Sequence, residues 1–89
     1  MMSKKIIWTR HAEARQKEWE RIRGITRLQV EEIIMNPEQI VSGDLDALVA
    51  QSRNRGGLIR VPFLEKDAEI KLLTVYWTSR FEKYWRKTE

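Results

Sequence analysis

The stretch Arg23-Gly24-Ile25-Thr26-Arg27-Leu28-Gln29 decides how this chain is laid out. Gly24 suits the left-handed position just past a helix end. Arg21 and Arg23 precede it, where cations favour the negative end of a helix dipole. Thr26 and Gln29 have capping-box spacing, in which hydroxyl and amide satisfy the free N–H groups of a new helix. One helix therefore stops and the next starts almost at once. So short a junction predicts a tight helical hairpin.

Working outward, Arg10 to Arg23 contains no Gly or Pro and is rich in helix formers, with Thr9 as its N-cap. Lys4 to Trp8 before it is short and β-prone and reads as a first strand. At about 100° per residue, His11, Arg15, Trp19 and Ile22 share one stripe, with Ala12 at its border. Glu13, Lys17 and Glu20 fall opposite. The stripe predicts that His11, the one histidine, and Arg15 face inward. A charged arginine on a half-buried face needs a partner or a ligand. On the other side of the junction, the second helix runs to about Asn36, with Val30, Ile33 and Ile34 inward. Pro37 ends it.

From there the pattern becomes extended. Pro37 to Asp44 reads as a crossing segment, with Ile40 and Val41 tucked in. Leu45 to Ser52 reads as a strand, Arg53-Asn54-Arg55-Gly56-Gly57 as a turn, and Leu58 to Leu64 as the next strand. Pro62 cannot donate to a ladder and marks an edge, a bulge or an early end. Glu65 to Ala68 is a charged turn. Glu69 to Thr78 is the longest strand signal, with Leu73, Val75 and Trp77 on one face and Leu72, Thr74 and Tyr76 on the other. Ser79 to Arg86 reads as a short terminal helix, capped by Ser79, with Phe81, Tyr84 and Trp85 free to pack. The expected fold is α+β: β-α-α-β-β-β, a helical hairpin on one face of a small antiparallel sheet, then a short C-terminal helix. Residues 1–89 form a single domain. If parity holds, the other sheet face carries Arg60, Thr74 and Tyr76; one bulge inverts parity.

Composition narrows the chemistry. The net charge is +4, and ten of the seventeen basic residues are arginine, which suits bidentate contacts to phosphate or carboxylate. There is no cysteine, so disulfides and thiolate-bound metal are excluded; this fits a reducing cytoplasm. A single histidine excludes a histidine-rich metal site, and no cofactor fingerprint appears. No apolar run is long enough to span a membrane, and Ile6-Ile7-Trp8 is too short for a signal-peptide core.

Four constellations remain. His11 and Arg15 combine a general acid or base with a stabiliser of phosphoryl charge; the alternative is a packed histidine and an ion-paired arginine. Arg60 is a lone arginine in an apolar strand, facing either a ligand or water. In Thr74-Val75-Tyr76-Trp77-Thr78-Ser79-Arg80, with Tyr84 beyond, Tyr76 can stack on a base and Arg80 can hold phosphate at a helix start; ordinary packing and capping are the alternative. Arg53 and Arg55 form a basic turn suited to a nucleic-acid backbone or simply to water.

On several of these pieces the chain resembles a family of short bacterial proteins of unknown function grouped with RelE/ParE-type toxins. The matching segments are Trp8-Thr9-Arg10-His11-Ala12 with Arg15, Arg23-Gly24-Ile25-Thr26, Asn36-Pro37, Leu58-Ile59-Arg60-Val61, and Thr74 to Arg80 with Tyr84. The resemblance implies a RelE-like fold and a place in a toxin–antitoxin module. It implies metal-independent ribonuclease activity, held in check by an antitoxin protein. His11 would then be the acid or base, Arg15 and Arg60 the phosphate and transition-state contacts, and Thr74, Tyr76 and Arg80 the RNA surface. Two other classes stay open: a non-catalytic module that binds RNA or protein, and a structural protein that dimerises through its tryptophans.

Overall fold

The computed structural model describes residues 4–87. It has α+β architecture. β1 (Lys5–Trp8) leads through the Thr9 cap into α1 (Arg10–Arg23). The Thr9 hydroxyl accepts from the Ala12 N–H, and Gly24 closes the helix at φ 72°. Thr26 then caps α2 (Arg27–Met35) by accepting from the Gln29 N–H. The remaining elements are β2 (Gln39–Ser42), β3 (Leu48–Asn54), β4 (Gly57–Lys66), β5 (Glu69–Leu72), β6 (Tyr76–Thr78) and α3 (Phe81–Tyr84). Among the described residues no helix is long and apolar enough to cross a membrane.

The sheet is mixed and six-stranded, in the order β1-β5-β4-β3-β2, with β6 also on β4. Two expectations change here. β1 pairs with β5 in parallel, so the sheet is not purely antiparallel. The pairing is set where both strands end together: the Thr9 N–H and hydroxyl both donate to the Leu72 carbonyl. Second, the crossing segment contains a real strand, β2, which pairs with β3. Its hairpin tip takes Asp44 to Ala47, so β3 begins only at Leu48. Leu45 sits in that tip at φ 57°, fully exposed.

At the β3–β4 hairpin only Arg55 and Gly56 lie outside the strands, both with positive φ (38° and 83°). That is the primed two-residue turn whose twist matches the flanking strands. It pairs Asn54 with Gly57, and further along Gln51 with Arg60.

The expected strand from Glu69 to Thr78 is broken in two. β5 pairs with β4 in a register that matches Leu72 to Phe63, whereas β6 matches Tyr76 to Arg60. The partners' residue numbers sum to 135 in the first register and 136 in the second, so one extra residue sits between the strands. That bulge at Leu73 to Val75 inverts parity. Leu72 and Trp77 both join the core beneath the helices, while Tyr76 turns to the opposite face beside Arg60. The bulge also explains Pro62. The Pro62 carbonyl accepts from the Leu73 N–H, so its donor-less nitrogen faces the same side, at the gap where β5 has left β4 and β6 has not begun.

The core lies between the helical hairpin and one sheet face. Ala12, Ile25, Val30 and Ile33 meet Ala50, Ile59, Val61, Phe63 and Leu72 there, with Trp8, Trp19 and Trp77 packed around them. The phase of α1 differs from expectation by about one residue. Ala12 and Gln16 are its buried residues, His11 is exposed and Ile22 is 58% exposed. Gln16 can be buried because its amide donates to the Ile25 carbonyl and to Glu20. With few apolar residues in the helix, satisfied polar groups set its phase.

α3 is a single turn, shorter than expected. Arg80, not Ser79, precedes it, with no side-chain cap. Phe81 stacks on Trp85, with ring centroids 5.0 Å apart.

Candidate functional site

Arg60 is the centre of the second sheet face. It is 7% exposed, and Gln51 beside it is fully buried. Strand alternation puts both opposite the helices. The Arg60 Nε donates to Gln51 Oε1 at 2.9 Å, and Nη1 donates to the Tyr76 hydroxyl. The guanidinium lies 3.9 Å from the centre of the Tyr84 ring. Among the described residues no carboxylate pairs with it, and Nη2 has no protein acceptor. Its charge is therefore met only by neutral hydrogen bonds and aromatic faces.

This is an unusual state for a buried cation, since burial of charge is costly without a counter-charge. The cost is relieved where the site opens. Arg60 lines a cleft of about 630 Å³ together with Pro62, Thr74, Tyr76 and Tyr84. Asp44 is the one carboxylate among the lining residues, and it forms no ion pair with Arg60. Burial pushes the Tyr76 phenol above its ordinary value, against the opposing pull of the Arg60 charge. Tyr76 therefore keeps its proton at neutral pH. Its oxygen accepts from Arg60, and the neighbouring Tyr84 hydroxyl also favours the protonated form, so its O–H is shared between Tyr84 and the cleft. The cleft thus offers a fixed cation and a hydroxyl donor between two aromatic rings, an arrangement complementary to an oxyanion beside a planar group.

Gln51 holds this centre together, although it belongs to none of the constellations visible in the sequence. Its Nε2 donates to the Tyr84 carbonyl at 3.0 Å and to Gln39 Oε1 at 2.8 Å. Gln39 in turn bonds the Arg86 backbone at both N–H and C=O. Two strand amides thus tie the C-terminal segment across the sheet face and set Tyr84 over Arg60. The available signal was register: Gln51 and Arg60 are equidistant from the Arg55-Gly56 turn.

Of the residues singled out from sequence, Arg60, Thr74, Tyr76 and Tyr84 come together. His11 and Arg15 do not line the cleft. His11 is exposed on α1, and Arg15 pairs with Glu18 at 3.4 Å. Arg80 is exposed, and its N–H donates to the Thr78 hydroxyl. Arg53 is engaged by Glu38 through Nε, Nη2 and its backbone N–H, and lies over the Trp85 ring. These bonds hold the Glu38 carboxyl below its ordinary value. Arg55 does something else: its Nη2 donates to the Arg23 carbonyl at 2.8 Å.

Fold and cleft together define a small α+β domain with a cationic, aromatic-walled site on the sheet face away from its helices. Comparison with protein-family models, with curated proteins and with solved structures found no match.

Proposed function

We propose that this chain binds RNA, with a backbone phosphate held at Arg60 and a neighbouring base against Tyr76 or Tyr84. The observation that carries the reading is the buried Arg60 guanidinium, which has no carboxylate partner among the described residues and lines a cleft walled by tyrosine. The cleft volume of about 630 Å³ is in the range of small-ligand sites and suits one nucleotide. Base–aromatic stacking contributes about 1–3 kcal/mol per base. The net charge of +4 favours encounter with a polyanion.

The test is fluorescence anisotropy with a labelled single-stranded RNA. Arg60→Gln should weaken binding by at least about tenfold, the scale of one charged hydrogen-bonded contact, and should flatten the salt dependence. His11→Ala should change little. Equal affinity of wild type and Arg60→Gln, with both folded by circular dichroism, sinks the proposal.

A second reading adds cleavage, as in a RelE-like toxin working in the cytoplasm under an antitoxin. The protonated Tyr76 bonded to Arg60 favours it. In such cleavage the 2′-hydroxyl would attack the adjacent phosphorus, giving its proton to solvent, and the P–O5′ bond would break; Tyr76 would protonate the leaving oxygen and Arg60 would neutralise charge on phosphorus. Growth arrest on overexpression, relieved by Tyr76→Phe and accompanied by EDTA-resistant RNA cleavage, supports this reading. Intact RNA leaves binding alone.

A further inference from the structure

The Arg60 cleft has a second charged group in its wall. The cleft follows β3 from the Gln51–Arg60 pair, past the Val49–Pro62 pair, to the tip of the β2–β3 hairpin. Gly43, Asp44, Leu45 and Ala47 of that tip all line it. The path from Gln51 to Ala47 is about 13 Å of extended chain, so the tip stands at the other end of the cleft from the guanidinium.

Asp44 supplies the one carboxylate of the lining. Among the described residues it has no ion-pair partner. The turn holds it in place. The Gly43 N–H donates to the Ala47 carbonyl at 2.9 Å, and the Ala47 N–H donates to the Asp44 carbonyl at 3.1 Å. Gly43 is closely packed as well: a Cβ there would lie 2.9 Å from Val49 Cγ2. Leu45 follows at φ 57°, fully exposed, in a conformation rare for leucine. The turn thus leaves a carboxylate and an apolar side chain together at the cleft edge.

A carboxylate only accepts hydrogen bonds, and its two oxygens lie side by side. Its best partner presents two adjacent N–H donors. Among the RNA bases only guanine does so, with N1–H and the N2 amino group on its Watson–Crick edge. Cytosine and adenine each place an acceptor nitrogen beside the amino group, and uracil flanks its N3–H with carbonyls. Those acceptors would face the carboxylate and be repelled. The same charge repels phosphate, so it sets the direction of a nucleotide in the cleft, with phosphate at Arg60 and base edge at Asp44. Unstacked bases in single-stranded RNA are commonly read by this combination of aromatic stacking and bonds to the Watson–Crick edge.

We propose that Asp44 makes the cleft selective for guanine. The proposal rests on the RNA reading above: Arg60 supplies affinity for any nucleotide, and Asp44 supplies the choice of base.

The test is anisotropy titration with labelled oligouridines that carry guanosine, inosine, adenosine or cytidine at one internal position, beside the all-uridine strand. Wild type should bind the guanosine strand at least about tenfold more tightly than the adenosine, cytidine and all-uridine strands, the scale of one bidentate base contact. Inosine keeps N1–H but lacks the N2 amino group, so its strand should fall between. Asp44→Asn should erase the preference, yet bind the all-uridine strand no more weakly, since it removes a negative charge. Asp46→Asn makes the same change in the same turn but outside the cleft lining, and should keep the preference. If every strand binds wild type equally and Arg60→Gln weakens them all, the RNA reading stands and guanine selectivity is overturned. A preference that survives Asp44→Asn, or a preference for another base, overturns it too. If wild type binds none of the strands, the RNA reading and the selectivity fall together.

Discussion

Two adjacent glycines in the β3–β4 hairpin should respond very differently to alanine. Gly56 has φ 83° but open space: a Cβ there meets nothing within 4 Å. Gly56→Ala therefore incurs only left-handed backbone strain, about 1–2 kcal/mol. Gly57 is the reverse. A Cβ there would lie 2.1 Å from the Thr78 carbonyl oxygen and 2.7 Å from Trp77 Cζ2. The first of these is backbone and cannot swing aside. β6 must move away from β4, which strains its pairing at Leu58–Thr78 and Ile59–Trp77. Losing about two ladder hydrogen bonds costs about 2 kcal/mol. Re-exposing about 60 Å² of Trp77 adds about 1.5 kcal/mol at about 25 cal/mol/Å². The total is about 3.5 kcal/mol, against about 1–2 kcal/mol for the neighbour. Urea unfolding followed by tryptophan fluorescence reads this directly. With a slope of about 1 kcal/mol/M, the two midpoints should differ by about 2 M. β6 also carries Tyr76, so Gly57→Ala should weaken RNA binding at the Arg60 cleft while Gly56→Ala should not. Equal midpoints for the two variants would refute the close approach of β6, and with it the position assigned to Tyr76.

Two further predictions concern the polar centre. Gln51→Leu leaves Arg60 Nε and the Tyr84 carbonyl without their partners. It should destabilise by about 2–3 kcal/mol and speed amide hydrogen exchange from Tyr84 to Arg86; unchanged exchange there would remove Gln51 as the tether. In ultraviolet titration, Tyr76 should ionise above the ordinary tyrosine value of 10.0 because burial disfavours the phenolate. Its folded value is raised, so its contribution to stability is fully present below the unfolded pKa and is lost as pH rises through the folded one. Normal titration of both tyrosines, compared in Tyr76→Phe, would count against the buried environment.

The local signals in the sequence held up where short-range chemistry decides. Thr9 and Thr26 cap their helices, Gly24 takes the left-handed conformation, and Pro37 follows the end of α2. Errors arose where long-range partners decide. β2 is only four residues long and becomes a strand because β3 lies beside it. The phase of α1 depends on Gln16 finding the Ile25 carbonyl, which no periodicity reveals. The bulge at Leu73 to Val75 matters most for the site. Unbroken alternation puts Leu72 and Tyr76 on one face; the extra residue separates them, so Tyr76 meets Arg60 while Leu72 stays in the core. Alternation in the sequence puts Arg60 and Tyr76 on the same outward face, and the structure agrees because both lie beyond the bulge in the β6 register.

The placement of Arg60 also separates stability from function. Nothing in the fold requires a cation there. The opposite face already holds the helical hairpin, and Leu58 next to Arg60 shows that this side can bury an apolar residue completely. Replacing buried polar centres by apolar groups of similar volume is often neutral or stabilising. A chain shaped for stability alone would carry leucine or methionine at position 60 and leucine at position 51. Instead a fully buried glutamine, a tyrosine hydroxyl and a tyrosine ring surround a guanidinium that no carboxylate among the described residues neutralises. Three side chains hold that charge at the wall of a cleft, and this is the arrangement from which we propose an anion site.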